Sequence, residues 1–299
     1  MREIFEKILG KENVFEKEPM KKHTTFKIGG VADWFLTPQN KTQLKELVLV
    51  LKEQNIPFFV LGNGSNLLVG DKGIRGVVIC LGKQMDNIQI SGSECYVESG
   101  AILSKVANAV QRAGLSGFEF ASGIPGSIGG AVFMNAGAYE HEMKEIIKTV
   151  EYMDQNGEIF SISNEECDFG YRTSIFSKND YIVLSAVFSL QEDSLEEIKN
   201  RMDDYTSRRT SKQPLEKPSA GSVFKRPVGH FAGALIEQSG LKGYQIGGAQ
   251  VSEKHAGFII NTGNATAKDV LDLIEYIKKV VFENFGVMLE TEVKMIGEF

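Results

Sequence analysis

Two glycine-rich clusters carry the residue types from which a ligand site could be built. Gly62-Asn63-Gly64-Ser65-Asn66 directly follows the apolar run IPFFVLG. Successive main-chain N–H groups in a glycine-rich turn form a concave nest for an anion, and the Ser and Asn side chains add donors. The same residues also suit a hairpin turn, because Asn-Gly is turn chemistry, and the motif alone does not separate the two readings. It is neither GxGxxG nor a P-loop: Gly70 and Lys72 come too late and no GK[ST] follows, so the dinucleotide fingerprint is absent. The second cluster is Ser122-Gly123-Ile124-Pro125-Gly126-Ser127-Ile128-Gly129-Gly130, continuing to Asn135-Ala136-Gly137. A solvent loop seldom mixes so many glycines with Ile, Pro, Val and Phe. Tightly turned backbone beside apolar side chains suits a buried loop lying against a flat, partly apolar ligand; a purely structural buried loop is the alternative. Glycine makes up 31 of 299 residues, above the usual ~7%, and the surplus lies in these clusters and in SAGS and QIGGA.

The chain that must position them has ordinary globular composition, 42% hydrophobic and 24% charged, which excludes disorder. Its length suggests two domains. With 33 Lys+Arg against 39 Asp+Glu the net charge is −6, so sequence-independent nucleic-acid binding is not expected. No run approaches the ~20 apolar residues that span a bilayer, and the N-terminus has no signal-peptide core. A cytoplasmic protein without membrane or nucleic-acid partners is therefore expected, and nothing demands more than a monomer. Cys80, Cys95 and Cys167 are scattered without a CxxC spacing, which argues for core packing over a disulfide framework or zinc site. His23, His141 and His230 form no metal constellation. Trp34 and most of the phenylalanines also read as core.

Periodicity gives the elements. Residues 1–10 predict a short amphipathic helix, and Leu44, Leu47, Val48 and Leu51 a second one after Pro38. IPFFVLG reads as a strand ending at the first glycine cluster, and GVVICLG, NIQISG and CYVESG as a meander. Leu103, Val106, Ala107 and Val110 mark a helix stopped by Gly114. TVEYMDQNGEIFSIS carries Asn-Gly between two alternating runs, a strong hairpin signal, and YIVLSAVFSL follows as a strand. A charged helix then begins with Asp193 or Ser194 as its N-cap. Beyond it come a helix at AGALIEQ, a strand at GFIIN, a helix from about Ala267 to Phe285 closed by Gly286, and a last strand, LETEVKMIG. Strands with interspersed, non-alternating helices argue an α+β fold.

LGNGSNLLV and SGIPGSIGGAVFMNAGAY closely resemble the flavin-binding segments of the UDP-N-acetylenolpyruvoylglucosamine reductase (MurB) family of bacterial peptidoglycan precursor synthesis. The resemblance continues through TTFKIGG, FGYRTSIF, SAGSVFKRP, IGGAQVSEKHAGFIIN and LETEVKMIG, so it is colinear over essentially the whole chain. It implies a two-lobed FAD-binding domain of the vanillyl-alcohol oxidase-like (PCMH) type over residues 1–200, with lobes of about 1–72 and 73–200. A C-terminal α+β substrate domain over 201–299 completes the chain, its last strand able to pack back towards the flavin. The implied cofactor residues are Gly62, Asn63, Gly64, Ser65, Asn66, Ser122, Gly123, Ile124, Pro125, Gly126, Ser127, Gly129, Gly130, Asn135 and Ala136. The implied activity is NADPH-dependent reduction, through non-covalent FAD, of an enolpyruvyl ether on UDP-GlcNAc to the lactyl ether of UDP-N-acetylmuramate. Glu140 stands where many members continue NAGAY with Gly. Only 50 positions separate Arg172 from Ser222, too few for the inserted lid of the longer class, so the chain resembles the shorter type II class.

The same resemblance implies a catalytic set. Hydride delivery to an enolpyruvate leaves charge delocalised into its carboxylate, which calls for a cation there and a proton donor at the neighbouring carbon. Arg172 offers a permanently charged planar fork, Ser222 is the family's proton donor, and Glu292 assists Arg172. Lys212, Arg226 and His255 are the implied substrate contacts, and Arg208 or Arg209 could reach a flavin phosphate. Read singly, Arg172, Ser222 and Glu292 are better explained as a salt-bridge residue, a turn residue and the solvent face of an edge strand, Lys212 and Arg226 as solvated charges, and His255 equally well as a surface histidine. Three coincident matches to separate segments reverse that balance for the first three. Two other functions remain compatible with the resemblance: a different FAD-dependent oxidase or dehydrogenase of the same fold, which would share the FAD loops but lack Ser222 and Glu292 in their settings, and a non-catalytic nucleotide-sugar binding protein that kept the fold.

Overall fold

Apolar stripes at helical spacing settle the helices. Leu44, Leu47, Val48 and Leu51 are fully buried on the helix Lys41–Glu53, whose start is fixed by Asn40 Oδ1 accepting the Gln43 N–H at 2.9 Å. Leu103–Arg112 buries its four expected residues, and Gly114, just beyond, takes the left-handed conformation. Ala267–Phe285 opens on a Thr266/Asp269 capping box and closes on left-handed Gly286. For the helix Leu195–Lys212 the choice of N-cap resolves to Ser194, whose Oγ accepts the Glu197 N–H at 3.1 Å. Asp193 instead pairs with Arg201 at 2.5 Å.

The computed structural model describes all 299 residues. Contacts divide them into two units: Met1–Phe15, Trp34–Asn63 and Gly76–Arg208 in the first, Glu16–Asp33, Gly64–Arg75 and Arg209–Phe299 in the second. These are not the contiguous segments expected from the sequence. Residues 16–33 and 64–75 go with the C-terminal part because three kinds of bond hold them there. The strand Leu67–Val69 pairs in parallel with Lys294–Ile296. The Asp71 carboxylate accepts the N–H groups of Ala267 and Lys268 at 2.8 and 3.0 Å, and Asn261 Nδ2 donates to the Phe26 carbonyl at 3.1 Å.

In the first unit a five-stranded antiparallel sheet runs in the order Ile159–Ser163, Ile147–Met153, Ile182–Ser189, Glu94–Glu98, Ile88–Ser91. Its first two strands form the expected hairpin, with Gly157 left-handed after Asn156. Ile74–Cys80 does not join a meander. It pairs in parallel with Phe58–Leu61, from Phe58 opposite Val77 to Leu61 opposite Cys80. The physical reason is its continuous buried run Val77, Val78 and Ile79, which suits a strand covered on both faces. One apolar core lies under the helix Leu103–Arg112 and the five-stranded sheet, and another gathers the helices Arg2–Leu9 and Lys41–Glu53. Burial lifts the thiols of Cys80 and Cys95 to about 11 and that of Cys167 to about 12, so all three are inert packing groups at neutral pH.

The second unit wraps the helices Ala232–Gln238 and Ala267–Phe285 around a sheet ordered Ser219–Ser222, Phe258–Asn261, Ala249–Val251, Gln245–Ile246. The last strand is shorter than expected, Lys294–Ile296. Upstream of it the chain bonds elsewhere: the Val223 carbonyl accepts both the Glu292 and Val293 N–H groups, at 2.7 and 3.4 Å, and the ladder with Leu67–Val69 begins only at Lys294. No helix is long and apolar enough to cross a membrane.

Candidate active site

The first unit brings Gly62 and Asn63 of the first glycine cluster together with the second cluster at the carboxyl end of a parallel strand, where open α/β-type sheets commonly receive ligands. Gly62 follows Phe58–Leu61 directly, and a Cβ there would overlap Ser127 Oγ. Asn63 Nδ2 donates to the Pro125 carbonyl at 2.7 Å, so the two clusters are tied together. The second cluster is not all loop. Ile128, Ala131 and Val132 bury one face of a short helix, Ile128–Phe133, and its entry is laced to residues 99–103. Ile128 N–H donates to Ala101 O at 2.9 Å, Gly129 N–H to Ser99 O at 2.8 Å, and Leu103 N–H to Gly126 O at 3.0 Å. A Cβ on Gly129 would come within 2.9 Å of Ser99 Cβ, so only glycine lets the helix start so close to the strand end.

Three serine hydroxyls in this cradle, on Ser99, Ser122 and Ser127, are buried with no hydrogen-bond partner. Orphaned buried hydroxyls are costly and call for a ligand. Ser99 was missed by the sequence reading. Its only signal is its place after a strand, before Gly100. Gly123, Ile124 and Gly126 are half-buried and Pro125 and Gly130 exposed along the same loop, and Ala136 is buried.

Asn135 is wholly buried with φ +45°, and its side chain is spent within the protein on Glu142, Gly170 and Lys144. Arg172 belongs to this unit. It occupies a two-residue turn closed by Gly170 and Thr173, its Nη2 donates to the Gly137 carbonyl at 3.2 Å, and its guanidinium lies 5.1 Å from the Tyr171 ring centre. Glu140 is explained as well. Tyr139 and Glu140 both have positive φ, 56° and 70°, between the paired residues Ala138 and His141. That is the hairpin geometry in which glycine is favoured.

The second unit brings Ser222, His255 and Glu292 around one short stretch of backbone. Ser222 ends the strand Ser219–Ser222, opposite Phe258. The next residue, Val223, donates its N–H to the Gly257 carbonyl at 2.9 Å and accepts the Glu292 N–H at 2.7 Å. A Cβ on Gly257 would lie 3.0 Å from His255 Cε1 and 3.6 Å from Ser222 Oγ, so the absence of a side chain there leaves room for both. His255 Nδ1 accepts the Gly257 N–H at 3.1 Å, which leaves the neutral ring's proton on Nε2. Burial, then the nearby Lys242 and Lys212, hold this imidazole below its ordinary pKa.

Gly64, Ser65 and Asn66 lie in the second unit. Thr25 N–H donates to Gly64 O at 3.1 Å and Thr25 Oγ1 to Ser219 O at 2.7 Å. Asn66 Nδ2 donates to the Glu292 carbonyl at 3.1 Å. Lys212 and Arg226 are exposed, and the Arg226 guanidinium stacks 4.0 Å over the Phe231 ring.

Residues 32–163 match the profile of an FAD binding domain, and residues 213–296 that of the UDP-N-acetylenolpyruvoylglucosamine reductase C-terminal domain. The chain is 55% identical to the UDP-N-acetylenolpyruvoylglucosamine reductase of Clostridioides difficile (strain 630), over 97% of this chain and 96% of that one. The chain belongs to this reductase family. A crystal structure of MurB from Thermus caldophilus superposes with a TM-score of 0.81 at 38% identity, covering 94% of this chain and 97% of the other. A glucose dehydrogenase, Phl p 4.0202, shares the fold alone, at TM-score 0.51 and 13% identity over 96% of this chain and 63% of its own. Family membership brings FAD, and the first unit fits that group. The glycines leave space beside Ser127, and the three unpartnered hydroxyls of Ser99, Ser122 and Ser127 offer hydrogen bonds that the protein itself does not use.

Proposed function

We propose that this chain reduces UDP-N-acetylglucosamine enolpyruvate to UDP-N-acetylmuramate with NADPH, the reductive step of peptidoglycan precursor synthesis. The observation that carries the reading is 55% identity to a UDP-N-acetylenolpyruvoylglucosamine reductase in an alignment covering 97% of the chain. Bound FAD supplies a two-electron carrier between NADPH and the enolpyruvyl double bond. The main-chain groups of residues 62–66, 122–130 and 135–136, with the hydroxyls of Ser122 and Ser127, hold and orient it. Arg172 meets the enolpyruvyl carboxylate and stabilises the negative charge that grows there as the vinyl carbon is reduced. Ser222, half-buried with its Oγ beside Gly257, gives its proton to the neighbouring carbon, and Glu292 helps Arg172 stabilise the intermediate. A hydroxyl is a feeble acid in water, but an enolate-like carbon is a strong base, so the transfer is downhill where the cation is held in place. Lys212, Arg226 and His255 bind the remainder of the UDP-sugar. The working form is a cytoplasmic monomer, and its product serves cell-wall growth, cell shape and division.

The test follows the visible spectrum of the purified protein anaerobically, through NADPH and then the enolpyruvyl substrate. Bleaching followed by recovery of the oxidised band is expected. Bleaching without recovery would discard the substrate and favour another flavoprotein of this fold; no flavin even after adding FAD would leave a binding protein. Ser222→Ala is expected to bleach normally and to recover about 10²–10⁴-fold more slowly. Near-normal recovery would remove Ser222 from its role.

A further inference from the structure

A residue in the middle of a ligand-binding loop normally offers its side chain to the ligand, and Asn135 does not. Its Nδ2 donates to the Gly170 carbonyl at 3.1 Å and to Glu142 Oε2 at 3.0 Å, and its Oδ1 accepts the Lys144 N–H at 2.9 Å. All three amide bonds therefore point into the protein. Gly170 is the first residue of the turn that carries Arg172: Gly170 N–H donates to Thr173 O at 3.0 Å and Thr173 N–H to Gly170 O at 3.3 Å, with Tyr171 and Arg172 at the tip. Arg172 itself is left-handed, φ +56°, a conformation an arginine keeps only where its surroundings impose it. Two residues beyond Asn135, the Gly137 carbonyl accepts Arg172 Nη2 at 3.2 Å. One three-residue stretch thus grips both the backbone of the Arg172 turn and the guanidinium at its end. The other side of the stretch is anchored by Glu142 and Glu145, which form a reciprocal capping box.

We infer that Asn135 is a positioning residue for substrate reduction. It fixes the approach of Arg172 to the enolpyruvyl carboxylate, and its side chain does not serve the flavin. The inference rests on the role given to Arg172 above. Positioning matters here because a misplacement on the order of 1 Å can cost roughly a hundredfold in rate.

Two variants separate this from a general loosening of the loop. Asn135→Gly tolerates the left-handed backbone and removes all three bonds. Asn135→Asp keeps the acceptor for Lys144 but turns the donor facing Gly170 O and Glu142 into a second acceptor, and it serves where the glycine variant holds flavin poorly. Each is assayed as the holoenzyme in the two half-reactions separately, beside Arg172→Ala and the double variant Asn135→Gly/Arg172→Ala. Flavin occupancy and the calorimetric Kd for UDP-N-acetylmuramate are measured on the same samples.

Recovery of the oxidised flavin is expected to slow about 10–100-fold in both Asn135 variants, at least tenfold more than any change in reduction by NADPH. Product affinity weakens in parallel, and the double variant is no slower than Arg172→Ala alone, as for residues acting through one another. Equal losses in both half-reactions, or losses that multiply in the double variant, would overturn the inference. So would normal recovery in Asn135→Asp. If the reading of Arg172 is itself at fault, Arg172→Ala alone recovers at the wild-type rate; if only the role of Asn135 is at fault, Arg172→Ala is slow and Asn135→Gly is not.

Discussion

Replacing Ser127 by alanine should act with opposite sign on the empty and the flavin-loaded protein. Ser127 is the N-cap of Ile128–Phe133, yet its side chain makes no capping bond, so the usual ~1 kcal/mol loss for Ser→Ala at an N-cap does not apply. The residue is 2% exposed and its Oγ has no partner. An unsatisfied buried hydroxyl carries a desolvation cost of about 1–3 kcal/mol, and alanine removes it while leaving the Cβ in place. Taking the low end, apoprotein gains about 1 kcal/mol, or roughly 2 °C in thermal midpoint for a chain of this size. When FAD is bound the same hydroxyl has a ligand to bond, and losing that bond costs the loaded protein about 0.5–1.5 kcal/mol; added to the apoprotein's gain, this weakens binding by about 1.5–2.5 kcal/mol, a Kd for FAD about 10–70-fold higher. Scanning calorimetry of the stripped protein and fluorescence titration with FAD read the two quantities independently. An apoprotein midpoint that falls by 2 °C or more would refute the reasoning, since it would mean that Ser127 has a structural partner. An unchanged FAD affinity would place the hydroxyl outside the cofactor site.

Two further perturbations address the frame around the site. Glu140→Gly relieves a left-handed residue at φ +70°. Relief of strain of about 1–2 kcal/mol, less the extra freedom glycine gives the unfolded chain, should leave a net gain of about 0.5–1 kcal/mol in denaturant unfolding; a loss would show that the Glu140 side chain is needed where it stands. His255 should make stability depend on pH, because burial and the charges of Lys242 and Lys212, partly offset by Glu237, hold its folded pKa below 6.5. Below that value the unfolded chain binds the proton more readily, so this part of the stability is present above about pH 6.5 and is lost as pH falls towards the folded pKa. His255→Asn keeps an acceptor for the Gly257 N–H and should flatten the dependence. Wild-type and variant curves that stay parallel from about pH 5 to 7 would refute it.

The helices were legible because their information is local. Leu44, Leu47, Val48 and Leu51 announce one buried face within eight residues, and Thr266 and Gly286 mark both ends of the longest helix without reference to anything distant. The pairing of strands was not legible in the same way. Ile74–Cys80 and its neighbours in sequence all read as short β runs, and only burial on both faces, a property of what covers the strand, sends it to a parallel partner. The assignment of residues 16–33 and 64–75 to the second unit depends on bonds such as Asp71 to Ala267 and Asn261 to Phe26, 196 and 235 positions apart, and nothing in the composition of those segments encodes it.

The site divides along the same line. A glycine cluster can be located from sequence because the absence of a Cβ is a property of the residue itself, and Gly62 and Gly129 stand where Ser127 and Ser99 would otherwise be displaced. The hydroxyls that the glycines expose to a ligand are less visible. Ser127 lies inside a cluster, whereas Ser99 is one serine among many until burial and the missing partner single it out. Asn135 is further still from view. Its position in the NAGA segment suggests a ligand contact, but its function is set by partners 7, 9 and 35 residues away, and only the last of these leads to Arg172. Sequence therefore reveals the groups that can touch a ligand more readily than the groups that aim them, because touching depends on what a residue is and aiming on what it is bonded to.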